Sequence, residues 1–145
     1  MGGQRSGLDA GGVPPRPRVL LADDHARLRA ALRDLLEETG FEVVGESGDG
    51  TDAVALARLL EPDVVVIDLR MPVLNGLDAT RLIRDARPAT QVVVLSAFES
   101  PELERQAREA GAFAYLDKGT MARRVHRVLL AAAVHAVLAA NRSVS

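Results

Sequence analysis

The sequence predicts an α/β fold, a doubly wound five-stranded parallel sheet with helices on both faces. Three observations predict it. Five short apolar runs alternate with five stretches of helical periodicity along the 145 residues. The connections are short and punctuated by Pro, Gly, Asn and Asp, which favours right-handed crossovers within one sheet. The central run Val64-Val65-Val66-Ile67 is four consecutive β-branched residues, the pattern of a strand buried on both faces.

Taken in order, Val19-Leu20-Leu21-Ala22 is the first strand and stops abruptly at Asp23-Asp24. His25 to Thr39 then places Leu28, Leu32, Leu35 and Leu36 at helical spacing, with Asp24 expected as N-cap and Gly40 as the residue past the C-terminal cap. Glu42 to Glu46 reads as the second strand and Thr51 to Leu60 as the second helix, entered through a turn at Asp49-Gly50. Pro62 blocks further helix before the third strand, which ends at Asp68. After Pro72 and Asn75-Gly76, the helical run Leu77 to Ala86 carries Leu77, Thr80 and Ile83, and Pro88 closes it ahead of Gln91-Val92-Val93-Val94-Leu95. Pro101 opens a helix that reaches Ala110 and stops at Gly111. Phe113-Ala114-Tyr115-Leu116 is the last strand, and Thr120 is expected to cap the last helix.

A chain of this length carries one domain around one core. Residues 1–16 are expected to be a disordered leader, 17–141 the folded domain and 142–145 a short tail. The composition, 48% hydrophobic and 26% charged, is that of a globular chain, and the absence of Cys excludes disulfides, thiolate metal sites and thiol nucleophiles. The formal net charge of -2 comes from 18 basic and 20 acidic residues mixed along the chain. No basic field exists to attract nucleic acid or an anionic membrane, so neither partner is expected for this chain alone. Met1 to Arg18 contains no apolar run, hence no signal peptide, and a cytoplasmic location is expected. Met1-Gly2 with Ser6 fits the permissive N-myristoylation pattern, which a Gly-rich leader meets by chance.

In such a sheet, ligands bind beyond the carboxyl ends of the strands. Asp23 and Asp24 follow the first strand, Asp68 the third, Ser96 the fourth, and Lys118 stands just past the fifth. Three crowded carboxylates repel one another, and a hard divalent cation with oxygen ligands relieves that repulsion; together with Lys118 it balances their charge. Phosphoryl transfer uses the same set: a carboxylate nucleophile, a cation and a lysine to neutralise charge on the phosphoryl oxygens, and a hydroxyl to donate to them. A rival reading is the dinucleotide fingerprint G-x-G-x-x-A formed by Gly48, Gly50 and Ala53, with Asp68 as the acid further on. It follows the second strand instead of the first, and it would set a pyrophosphate beside three carboxylates. His25, His126 and His135 fall on different elements without ligand spacing and are read as structural.

Five motifs, in order, resemble the response-regulator receiver domain of two-component systems. They are the acidic pair after Val19 to Ala22, VVVIDLRMP at 64–72, Asn75-Gly76-Leu77, Leu95-Ser96-Ala97 and Asp117-Lys118-Gly119, and the resemblance runs from Arg18 to Leu130. It implies a flavodoxin-like (βα)5 fold with strand order 2-1-3-4-5. It also implies Asp68 as the phosphoacceptor, taking its phosphoryl group from a sensor histidine kinase in a magnesium-dependent reaction. Asp24 would bind Mg2+ directly, Asp23 mainly through water, Arg70 through its carbonyl, and Asp68 would complete the set. Ser96 and Lys118 would hold the phosphoryl oxygens, and Tyr115 would swing inward when Ser96 moves, although a half-buried strand tyrosine accounts for the same residue. Arg70 and Phe98 flank the path of an attacking water and so bear on the lifetime of the acyl phosphate.

Two features resemble the subgroup of receivers that carry a helix-turn-helix output: Asp23-Asp24-His25, and Gly119 where the family often has a cis-proline. A haloacid-dehalogenase-like phosphatase shares the aspartyl nucleophile and magnesium, but its acid-x-acid spacing is missing where Leu69-Arg70 follow Asp68. Ser145 comes too soon for an output domain, so two classes stay open: a stand-alone signalling module, and the receiver part of a longer DNA-binding regulator. Val128 to Ala140 is apolar nearly all round and too short to span a bilayer. It reads either as an Ala-rich helix docked on the sheet or as part of a surface, within residues 101–140, for a homodimer or an output protein.

Overall fold

The computed structural model describes residues 15–144, with side chains through Asn141. Ten elements alternate along it: β1 (Arg18–Ala22), α1 (Ala26–Glu38), β2 (Glu42–Ser47), α2 (Gly50–Leu60), β3 (Val64–Asp68), α3 (Gly76–Ala86), β4 (Gln91–Ser96), α4 (Pro101–Glu109), β5 (Ala114–Asp117) and α5 (Met121–Val144). The strands form one parallel sheet in the order β2-β1-β3-β4-β5, as expected. The order reverses direction between β1 and β3, and that reversal opens a crevice at their carboxyl ends.

Pleating sends alternate residues of each strand to opposite faces, and the core divides accordingly. Val19, Leu21, Val64, Val66, Val93 and Leu95 face Leu32 and Leu36 of α1 and Val125, Leu129 and Ala132 of α5. Leu20, Val65, Ile67, Val92 and Val94 face Ala53 and Ala57 of α2, Ala79 and Ile83 of α3, and Ala107 of α4. All five residues of β3 and all six of β4 are buried, which is why their sequences run apolar without alternation. Removing a side chain such as Ile67 from water contributes roughly 1.5–3 kcal/mol. This burial makes β3 a rigid mount for the carboxylate at its end.

The body begins at Arg16, inside the expected leader: its guanidinium lies 3.5 Å from the Phe41 carbonyl and 3.6 Å from Glu37, and the Pro17 carbonyl accepts the Glu42 N–H at 2.9 Å. Residues 1–14, and with them the myristoylation pattern, lie outside the described residues. At the other end, α5 continues to Val144, so residues 142–144 are helical where a tail was expected; the segment holds no Gly or Pro to stop it.

Asp49, Asn75 and Ser100 cap their helices, accepting from the N–H groups of Asp52, Asp78 and Leu103. The expected cap of α1 shifts: its N-cap is His25, one residue after Asp24, and it makes no side-chain cap bond, the Asp24 carboxylate belonging to the rim of the sheet. Thr120 precedes Met121, the first residue of α5, its carbonyl accepts the Arg123 N–H at 3.2 Å, and its hydroxyl donates to Asp117 Oδ2 at 2.7 Å. Gly40 does take the left-handed conformation past α1, with φ +100°.

The loop from Leu69 to Asn75 is clamped to its surroundings. Leu69 N–H donates to the Leu95 carbonyl at 2.8 Å, Gly76 N–H to the Leu69 carbonyl at 2.8 Å, and Gly50 N–H to the Pro72 carbonyl at 3.2 Å. A Cβ on Gly76 would come within 2.3 Å of the Asp68 carbonyl oxygen, and one on Gly50 within 1.8 Å of the Leu74 carbonyl oxygen. Gly50 therefore serves close backbone packing. The Leu74 backbone lies where a Gly50 Cβ would go, and this contact accounts for Gly50 without the dinucleotide reading of Gly48, Gly50 and Ala53. Val73, 85% exposed, sits at φ 71° and is bridged by a Leu74 N–H to Pro72 carbonyl bond of 2.7 Å, a γ-turn in a conformation costly for a β-branched residue.

Candidate functional site

The crevice gathers the residues that end the strands. Asp23 follows β1 and is 3% exposed; its backbone N–H donates to the Ser47 carbonyl at 3.0 Å and its Oδ1 accepts the His25 N–H at 2.8 Å. Asp68 ends β3 at 5% exposure, with Oδ1 accepting the Arg70 N–H at 3.3 Å. Lys118 reaches in from beyond β5, its Nζ 3.1 Å from Asp68 Oδ2 and 3.0 Å from Asp23 Oδ2. The contact with Asp68 has hydrogen-bond geometry. The contact with Asp23 is a charge contact off the bonding direction, and Asp23 Oδ2 is left buried without a directional donor.

These surroundings set the charges. Burial pushes the Asp68 carboxyl above its ordinary value and the neighbouring Asp23 adds to that push, while the Lys118 hydrogen bond and charge pull the other way without cancelling it. For Lys118, burial alone would lower the ammonium, but the contacts with Asp23 and Asp68 outweigh it and hold the group above its ordinary value.

Asp24 lies at the mouth with its side chain 42% exposed, and His25 Nδ1 is 3.5 Å from an oxygen of each of Asp23 and Asp24. Ligand atoms of Asp23, Asp24, His25 and Asp68 all fall within 4.8 Å of one another. This set fits a divalent cation: the carboxylates are hard oxygen donors, and Asp23 Oδ2 is a buried acceptor still without a directional partner. His25 joins the cluster, which sequence spacing did not suggest, because the turn after β1 folds its ring back over the acidic pair. His126 and His135 are structural as expected, packed on Phe41 at 5.6 Å and on Phe113 at 4.9 Å between ring centroids.

Ser96 ends β4, 2% exposed, and its Oγ accepts the Phe98 N–H at 3.1 Å, which leaves the hydroxyl proton free to be donated into the crevice. Tyr115 is 6% exposed and its hydroxyl donates to the Phe98 carbonyl at 2.5 Å, so the ring already lies inward. Both peptide groups of Phe98 are thus held, one by Ser96 and the other by Tyr115. The Arg70 guanidinium stacks over the Phe98 ring at 5.5 Å. A cleft of about 600 Å³ is lined by Asp24, Ala26, Leu28, Ala97 and Lys118. Among the described residues there is no cis peptide bond, including at Gly119.

Sequence reasoning missed Arg29. Its Nη1 donates to the Asp23 carbonyl, and its Nε donates to Glu46 Oε1 at 3.0 Å. No local spacing signals a bond between residues 17 positions apart.

A doubly wound sheet with three aspartates, a lysine and a serine on one rim is the architecture of a phosphoacceptor signalling domain. The chain matches the response regulator receiver domain over residues 19–130 and belongs to that family, the receivers of two-component systems. It is 49% identical over 110 residues to the transcriptional regulatory protein PdtaR of Mycobacterium tuberculosis, a match covering 76% of this chain and 53% of that protein. It is 37% identical over 112 residues to the chemotaxis protein CheY of Thermotoga maritima, covering 77% of this chain and 93% of CheY. The receiver domain of the response regulator NarL from Mycobacterium tuberculosis superposes with a TM-score of 0.79 at 31% identity, over 83% of this chain and 98% of that one. The chain spans about half the length of the first curated relatives it matches.

Proposed function

We propose that Asp68 accepts a phosphoryl group from the phosphohistidine of a sensor histidine kinase, in a Mg2+-dependent reaction, and that the acyl phosphate shifts the domain between two conformations read by an output. The observation that carries this reading is the position of Asp68: at the end of a fully buried strand, hydrogen-bonded to Lys118 and within ligand distance of Asp23 and Asp24. An oxygen of Asp68 attacks phosphorus, the P–N bond to the imidazole breaks, and its electron pair returns to the ring nitrogen, which takes a proton. Lys118 neutralises charge on the phosphoryl oxygens, and the Ser96 hydroxyl donates to one of them. Asp24, Asp68 and the Arg70 carbonyl, with Asp23 mainly through water, would hold Mg2+, which would supply the remaining positive charge. The cleft beside Asp24 and Lys118 gives the donor imidazole its approach. Arg70 and Phe98, stacked at 5.5 Å, flank one path by which a hydrolytic water reaches the acyl phosphate.

The switch runs through the Phe98 peptide. A Ser96 hydroxyl drawn to the phosphoryl group releases or shifts the Phe98 N–H, and the Phe98 carbonyl transmits that movement to Tyr115. The readout surface is α4, β5 and α5, within residues 101–140. There Leu130, Val134, Val137 and Leu138 stay 46–53% exposed and, with Pro17 and Ala133, line a groove of about 240 Å³. No helix among the described residues is long and apolar enough to cross a membrane, and a cytoplasmic site of action fits a kinase-fed receiver.

Incubation with acetyl phosphate and Mg2+ tests the chemistry. The wild-type chain gains one phosphoryl mass and the Asp68→Asn variant does not; an equal gain in the variant rejects the assignment. A second reading, the receiver part of a longer DNA-binding regulator, is favoured by the match to only 53% of PdtaR. Salt-dependent DNA binding by the full gene product, absent from residues 1–145 alone, would support it.

A further inference from the structure

We infer that Arg29 is a positioning residue for the metal site, holding the peptide that carries the acidic pair, with Glu46 setting its direction. The inference rests on the magnesium reading of the acidic cluster. The turn from β1 to α1 must present two carboxylates at a fixed spacing. Within the turn the Asp23 carboxylate accepts the His25 N–H at 2.8 Å, but the N-cap of α1, His25, makes no side-chain cap bond, and the first turn of the helix has no acidic residue. A further hold comes from one helical turn along. Arg29 Nη1 donates to the carbonyl of Asp23, the first atom group after the buried ligand, while the Arg29 N–H bonds the His25 carbonyl at 3.0 Å as part of the helix.

A guanidinium is a planar fork, so fixing one prong fixes the others. Arg29 Nε donates to Glu46 Oε1 at 3.0 Å, and Glu46 is itself held from the other side by Arg33 Nη1 on Oε2 at 2.6 Å. The Arg29 and Glu46 side chains are 22% and 26% exposed, so the pair is more shielded from water than an ordinary surface bridge. It joins α1, the end of β2 and the end of β1 at one point. Asp23 N–H is tied to the Ser47 carbonyl on the same strand end, so both sides of the Asp23 residue are anchored to β2 or through it. Groups behind metal ligands that fix their orientation govern affinity by about 10–100-fold. Arg33 shares Glu46 but has no bond to the acidic turn, which makes it an internal control.

The test is a Mg2+ titration of the 145-residue chain, followed by backbone amide NMR shifts of Asp24 and Leu69, in wild type and four variants. Wild-type binding with a measurable dissociation constant is the first requirement, and no binding would overturn the magnesium reading beneath this inference. Arg29→Gln is expected to weaken Mg2+ binding about tenfold. Arg29→Lys, which keeps the charge but lacks the fork, falls with it, and Arg33→Gln stays within about twofold of wild type. Glu46→Gln leaves Arg29 in place with its direction loosened and weakens binding about threefold; it serves as the decisive variant should Arg29→Gln fail to fold. A wild-type constant in folded Arg29→Gln or in Glu46→Gln overturns the inference. Equal losses in the Arg29 and Arg33 variants, or full recovery in Arg29→Lys, overturn it as well, since they indicate bulk charge instead of positioning.

Discussion

Replacing Lys118 by Met keeps the stem and removes the ammonium, leaving Asp23 and Asp68 to repel each other in a pocket where their side chains are 5% and 7% exposed. Each Lys118 contact is near 3 Å, 3.0 Å to Asp23 and 3.1 Å to Asp68. At an effective dielectric near 20, that distance corresponds to roughly 5 kcal/mol of gross attraction per contact. Desolvating the ammonium offsets several kcal/mol of that sum, and removing one partner of a buried pair costs about 3–5 kcal/mol. With the Lys118 side chain 18% exposed, the lower end applies, about 3 kcal/mol. In EDTA the unfolding midpoint of Lys118→Met should therefore fall by about 6–12 °C. Saturating Mg2+ should recover much of the deficit, because the cation supplies positive charge to the same carboxylates, and metal binding itself should be retained. Urea and thermal unfolding with and without Mg2+ provide the assay. A variant as stable as wild type in EDTA, a deficit that Mg2+ leaves unchanged, or a loss of Mg2+ affinity would refute the charge balance described for this pocket.

Asp68→Asn should be more stable than wild type in EDTA at neutral pH, because burial raises the Asp68 carboxyl and its ionised form is held at a cost. A folded-state value above the unfolded one favours folding below the unfolded value, and that contribution is lost as pH rises through the folded value. The stability gap between Asp68→Asn and wild type should accordingly narrow as pH falls from neutral into the carboxylate range; a gap independent of pH would contradict it. Gly76→Ala places a Cβ 2.3 Å from the Asp68 carbonyl oxygen. Chemical denaturation should show a loss of about 3 kcal/mol or more, and acetyl phosphate labelling should slow as the loop shifts. Val73→Asn, relieving a β-branched residue at φ 71° with almost no packing to lose, should stabilise the protein by about 1 kcal/mol by the same method. Phe98→Ala removes the ring under Arg70 and widens that path for water, so the acyl phosphate should decay faster, as read by loss of phosphoryl mass with time.

The parts of this molecule legible in sequence are those whose physics is local. Val64 to Ile67 declared a two-faced strand because β-branched residues filled consecutive positions, and the structure buries all of them. Asp23, Asp24, Asp68, Ser96 and Lys118 could be placed on one rim because each follows an apolar run, and parallel strands put all such ends together. The strand order itself came from the family resemblance, since periodicity does not state which strands are neighbours. What sequence left hidden depends on tertiary contact. The Arg29–Glu46 bond joins residues 17 positions apart, and the inward Tyr115 is held by a carbonyl 17 positions away. Val73 concealed a turn because its side-chain type argues against positive φ. The last helix was read as apolar nearly all round. Folded, it divides into Val125, Leu129, Ala132 and Ala133 against the sheet and Leu130, Val134, Val137 and Leu138 on the outside.

The central claim, that Asp68 carries the phosphoryl group, is tested most directly by trapping the acyl phosphate. The chain is incubated with acetyl phosphate and Mg2+, reduced with borohydride, digested and mapped by mass spectrometry. Borohydride reduces an aspartyl phosphate to homoserine, so the account predicts homoserine in place of Asp68 and unmodified Asp23 and Asp24. Homoserine at either of those two residues, or a stable phosphate on a histidine or serine with Asp68 unchanged, would contradict it.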